Sequence, residues 1–139
     1  MREIKFRGKD LLNKWRYGDL IQEKRKIRVK KLVQDKWKIT SIKNEKVYMI
    51  KKDKTAWTVK EETIGQFTGL KDKNGKEIYE GDILIDDEDE IAIVQYSEVD
   101  AMFEIIVDNI VTNFSNESSE WWRIIGNIYD NPELLKESE

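Results

Sequence analysis

Gly65-Gln-Phe-Thr-Gly-Leu-Lys-Asp-Lys-Asn-Gly-Lys-Glu-Ile-Tyr-Glu-Gly-Asp-Ile83 decides the fold of this chain. Two apolar segments, residues 67–70 and 78–83, flank a charged tip that holds Asn74-Gly75. Asn-Gly suits a type I′ turn, which needs positive φ at two adjacent positions, so the stretch predicts a β-hairpin. The same stretch divides the charge. Residues 1–60 hold 20 Lys+Arg and 7 Asp+Glu, a net +13, whereas residues 61–139 hold 5 and 21, a net −16.

Strand signals continue on both sides of the hairpin. Upstream, Ile4 and Phe6 alternate with Lys5 and Arg7, the period of a half-buried strand, and residues 15–21 read as its return. Residues 22–60 read as short antiparallel strands around 27–30, 37–39 and 47–50, separated by polar turns. A basic helix over residues 21–33 fits the spacing less well. Downstream, residues 82–85, 91–96, 103–107, 110–114 and 121–129 are further short strands at regular spacing. Asn131 as N-cap, Pro132 at the first helical position and Glu133 after it predict a short closing helix over residues 132–136. The expected fold is therefore mainly β: a basic β-rich part over residues 1–60, then an acidic small antiparallel barrel of SH3-like type over residues 61–139, closed by that helix.

Composition excludes several functions. With 139 residues the chain suits one domain or two small subdomains. It contains no cysteine, so disulfides and thiolate metal sites are out of reach and a reducing, cytoplasmic setting is expected. No apolar leader or membrane-length run is present in the sequence. The chain also contains no histidine, which removes imidazole triads, His-ligated zinc and His acid–base chemistry. No nucleophile–base pair stands out among the remaining residues, and no cofactor is expected. The expectation is a protein that is not an enzyme.

Three groups of residues remain as candidate sites. Residues 86–90 are five consecutive acids close to Asp82, and such carboxylates suit Mg²⁺ or Ca²⁺. The run lacks the mid-loop glycine and distal Glu of a calcium loop, so a solvated turn is the expectation and no metal site is assigned. Lys24, Arg25, Lys26, Arg28, Lys30 and Lys31, interleaved with Trp15, Tyr17, Trp37 and Tyr48, have the composition of a single-stranded nucleic-acid surface. Lysine on strands is also an ordinary defence against edge pairing, and a further reading has the block serve the acidic half of the same chain or of a neighbouring copy. Trp121 and Trp122 are adjacent, so on a strand they point to opposite faces, one to the core and the other exposed or at an interface; the alternative is that both rings pack under loops of the same barrel.

Three segments of the chain carry a resemblance to a family. Arg2-Glu-Ile-Lys-Phe-Arg7, the central run from Gly65 to Ile83, and Ile125-Gly-Asn-Ile-Tyr-Asp-Asn-Pro-Glu-Leu134 together resemble the YopX family. The resemblance implies an uncharacterised protein of bacteriophages and prophages, without catalytic residues to carry over, that self-associates as a trimer or a multiple of it. The combined expectation is a phage accessory protein that acts by binding as a homo-oligomer. The alternative is nucleic-acid binding through the basic half.

Overall fold

The computed structural model describes residues 3–136. Its strands are β1 (Phe6–Lys9), β2 (Trp15–Val33), β3 (Lys36–Lys52), β4 (Thr55–Val59), β5 (Gly65–Lys71), β6 (Glu77–Tyr79), β7 (Asp82–Ile85), β8 (Ile91–Ser97), β9 (Met102–Val107) and β10 (Ile110–Asn113). A four-residue helix, α1 (Asn116–Ser119), precedes β11 (Arg123–Asn127), and Pro132–Leu135 form a 3-10 turn. The fold is mainly β, as the alternation and turn chemistry predict. The described residues form two compact units, one from residues 8–64 and one from residues 3–7 with residues 65–136. The sequence reading keeps residues 1–60 together. In the structure Phe6 and Arg7 pair with Gln66 and Gly65 of β5, and Phe67 N–H donates to the Lys5 carbonyl.

In the 8–64 unit, β2 and β3 pair from Asp19↔Lys51 to Val33↔Lys36, with one β-bulge at Thr40 where the register shifts between Val29 and Lys30, and β4 joins only residues 48–52 of β3. The expected succession of short strands is thus two long ones, and the helical alternative for residues 21–33 does not form. Polar residues such as Asn44 and Glu45, read from the sequence as a turn, run through as strand. A ribbon with no second layer exposes both faces, so polar side chains cost nothing there. Gln34 (φ 50) and Asp35 (φ 60) make the connecting turn, both left-handed as type I′ requires.

In the other unit, β10-β9-β8-β7-β11 form an antiparallel sheet of five strands. The expected barrel is not closed: the two outermost strands, β10 and β11, do not pair with each other among the described residues. One face of this sheet carries the core, in which Leu84, Ala92, Val94 and Ile105 pack with Ile78, Phe114 and Trp122. The register explains the selection, because Leu84 lies opposite Ala92 and Val94 opposite Ile105. Burying residues of this size contributes about 1.5–3 kcal/mol for each large aliphatic or aromatic side chain. The expected C-terminal helix is the 3-10 turn Pro132–Leu135. Asn131 does not cap it with its side chain; its Oδ1 accepts instead from Asn127 N–H at 3.2 Å.

Three hairpin turns share one device. In each, an aspartate Oδ1 accepts the backbone N–H groups two and four residues on. Asp10 takes Leu12 and Lys14, Asp72 takes Asn74 and Lys76, and Asp86 takes Glu88 and Glu90, all at 2.9–3.0 Å. The fourth residue of each is left-handed: Asn13 (φ 65), Gly75 (φ 81) and Asp89 (φ 63). The Asn74-Gly75 hairpin forms as predicted, but Gly75 alone has positive φ, so the turn is not type I′. Asp72 differs from the other two because its Oδ2 also accepts Ile124 N–H at 3.0 Å, tying the turn to β11.

Asp72 is 6% exposed, and its loss would strand three donors, two of them in its own turn and one across the unit. We expect Asp72→Ala to lower unfolding free energy by about 2–4 kcal/mol in urea titration, and Asp86→Ala by less than half as much. Equal effects would refute this account of the turns.

Candidate functional site

Buried charge in this protein is structural. Arg7 Nη2 lies 2.7 Å from Asp82 Oδ1, with both side chains almost fully buried. The Asp82 Oδ2 accepts Tyr79 N–H at 2.8 Å, and the Arg7 guanidinium sits 5.1 Å from the centre of the Tyr79 ring. Gly81 makes the turn beside it with φ 94, and a Cβ there would come 3.1 Å from the Tyr129 ring. Burial pushes the Asp82 carboxyl up from its ordinary value, while Arg7 pulls the other way. Arg7→Met should therefore cost roughly 3–5 kcal/mol by leaving that carboxyl unpaired. Adding Asp82→Asn, which keeps an acceptor for Tyr79 N–H, should recover part of the loss in the same denaturation assay. A double variant no more stable than Arg7→Met would count against the pair.

The acidic run at residues 86–90 is the β7–β8 turn described above. The Asp86 carboxylate is used by the turn, and Asp87 bonds Lys73 at 2.9 Å. No three of the described His, Cys, Asp and Glu residues come together to hold a metal ion. The adjacent tryptophans lie just before β11 rather than on a strand. Trp122 is in the core at 7% exposure, and Trp121 is 71% exposed.

The basic residues sit on the β2–β3 ribbon. Alternation along β2 puts Lys24, Lys26, Arg28 and Lys30 on one face, with Arg25 and Lys31 on the other. Arg25 bonds Glu23 at 3.4 Å, and the pair is exposed. Beyond its pairing with β4 the ribbon spans residues 23–33 of β2, on the order of 35 Å. Opposite Arg28 lies Ile42, opposite Lys30 Ile39, and opposite Leu32 Trp37. Directly opposed residues share a face, so the far half of this face combines two cations with four apolar side chains. Leu32, Trp37, Ile39 and Ile42 are 57, 70, 51 and 62% exposed. Sequence reasoning took the alternation at residues 37–39 as one short antiparallel strand among several. The apolar end was missed because period-2 alternation looks the same whether or not a second layer covers it.

The near end of the ribbon is braced by chemistry within its own unit. The Arg16 side chain bonds Asp10 at 2.9 Å and stacks 4.3 Å from the centre of the Trp57 ring. The Lys14 backbone N–H, with Arg16 and Leu12 N–H, holds the Asp10 carboxyl below the usual aspartate range. A depressed folded value contributes stability that is complete above the unfolded aspartate value and lost as pH falls through the folded one. Asp10→Asn should therefore flatten the dependence of the urea midpoint on pH below about 4. An unchanged slope would rule this brace out.

Two open grooves lie in the unit built on the five-stranded sheet. One, of about 510 Å³, runs beside β5 and is lined by Phe67, Leu70 and Glu77 among others. The second, of about 560 Å³, has Ile93 and Ile106 of the sheet, with Leu134 and Leu135 of the 3-10 turn, as its apolar lining. Asp89, Glu90, Asp108 and Lys136 line the same groove. The Glu90 carboxyl is raised above its ordinary value, first by the charge of Asp108 and then by burial, Asp86 and Glu88.

The model of the YopX family, described as YopX protein, matches residues 5–136. This chain belongs to the YopX family. Among solved structures it is similar to the crystal structure of protein EF1440 from Enterococcus faecalis, at 24% identity and a TM-score of 0.55. The likeness covers 98% of this chain and 100% of that one, and at this identity it speaks for the fold alone. No curated protein matches the chain. Among the described residues no helix is long and apolar enough to cross a membrane.

Proposed function

We propose that this YopX-family chain is a phage or prophage accessory protein that acts by binding, as a homo-oligomer in the host cytoplasm, without catalysis. The phage setting rests on the family resemblance. The binding role rests on one observation: a two-stranded ribbon places Leu32, Trp37, Ile39 and Ile42 in solvent beside Arg28 and Lys30. Contiguous exposed apolar surface edged by charge is what interaction sites look like. Trp and Arg are also the residue types that dominate the energy of such contacts. Light scattering on the full chain should give a mass above that of one chain, rising with concentration and falling as salt is added. A mass of one chain at every concentration and salt would sink this reading.

A second reading has its own observation. Lys24, Lys26, Arg28 and Lys30 recur at every second position on one face, and the major groove of DNA admits a two-stranded ribbon. If all four meet phosphates, a shift assay on duplex DNA should weaken with salt at a log–log slope of about −3.6. No shift of either duplex or single-stranded DNA at low salt would dismiss nucleic acid as partner.

A further inference from the structure

Complementary surfaces occur at the far end of the ribbon and in the groove of the five-stranded sheet. Leu32, Trp37, Ile39 and Ile42 are apolar and exposed, with Arg28 and Lys30 on the same face. The groove has the opposite balance, with Ile93, Ile106, Leu134 and Leu135 as apolar surface and, beside it, the three carboxylates of Asp89, Glu90 and Asp108 against the single ammonium of Lys136. At about 560 Å³ the groove has room for several side chains. Its turn residues Asp108 and Asn109 lead into β10, where Val111 lies opposite Ile106 and is 53% exposed, so the apolar surface continues past the groove's edge.

We infer that the ribbon tip of one copy docks in this acidic groove of a second copy, so that the protein assembles head to tail. The inference deepens the homo-oligomer reading and rests on it. Charge decides between the two ways a second copy could meet the tip. Ribbon against ribbon would set Arg28 and Lys30 against their own equivalents, a like-charge contact that costs free energy when desolvated. Ribbon against groove sets the same cations against three carboxylates, two of which already repel each other and which outnumber the one lysine there, Lys136, and buries apolar surface on both sides. Glu90 and Asp108 gain from an approaching cation because their mutual repulsion is then relieved. The two surfaces differ, so the contact is heterologous. Each copy carries one of each, and repetition produces a closed ring or an open filament.

Two variants test this in the full chain. Arg28→Glu/Lys30→Glu/Trp37→Ser spoils the tip and leaves the groove intact. Asp89→Asn/Glu90→Lys/Asp108→Asn spoils the groove and leaves the tip intact; asparagine tolerates the left-handed backbone at 89 and 108. Circular dichroism and the melting transition confirm that both fold. Each variant alone should be monomeric, with association weakened by at least about tenfold. Their equimolar mixture should give a species of two chains and no larger one, because only one good tip and one good groove remain. A mixture that stays monomeric, or a variant that assembles as the wild type does, overturns the head-to-tail contact while leaving the homo-oligomer reading standing. A wild-type chain that is monomeric throughout removes both.

Discussion

The buried pair of Arg7 and Asp82 is the constraint on which one half of the molecule depends. Taking a guanidinium and a carboxylate out of water is tolerable only if each finds its partner at good geometry. Here that geometry requires β1 to lie against β5 and the turn at Gly81 to hold Asp82 beneath Tyr79 N–H. The pair ties the beginning of the chain to a hairpin more than seventy residues later. Any arrangement in which residues 5–7 stayed with their sequence neighbours would leave a charge buried alone.

The ribbon follows the opposite logic. Its residues beyond the pairing with β4 have no second layer to satisfy, so cross-strand pairs and the Gln34-Asp35 turn hold it together. A lone two-stranded ribbon is marginal, and here its near end is braced by Asp10, Arg16 and Trp57. Freed from the demand to bury a face, the sequence there is open to selection for contact with something else. Its cations and apolar side chains are arranged by register into one amphipathic face.

The acidic half shows how one residue type serves different ends. Asp72 is a buried knot for three backbone donors, Asp86 an exposed one for two, and Asp82 half of an ion pair. Asp89, Glu90 and Asp108 satisfy no such need in common and share a groove. The net charge of residues 61–139 therefore overstates what a partner would meet, since part of it is spent inside the fold.

Strand content, the hairpin at Asn74-Gly75 and the opposition of a basic and an acidic half were legible in the residues, because alternation, turn chemistry and charge are local properties. The length of the ribbon was not, since Gln34-Asp35 is no turn signature and polar residues run unnoticed through an uncovered strand. The open sheet was also hidden: barrel and sheet share the same strands and differ only in whether β10 meets β11. Of the candidate site, the six basic residues were visible as composition. Their division into four on one face and two on the other, and their union with Leu32, Trp37, Ile39 and Ile42, required the cross-strand register. Sequence alone determined which segments would be strand and what charge they would bear. Only the tertiary structure decided which of them would be covered, because burial depends on what lies across from a residue in space, and a pleated strand carries no record of that.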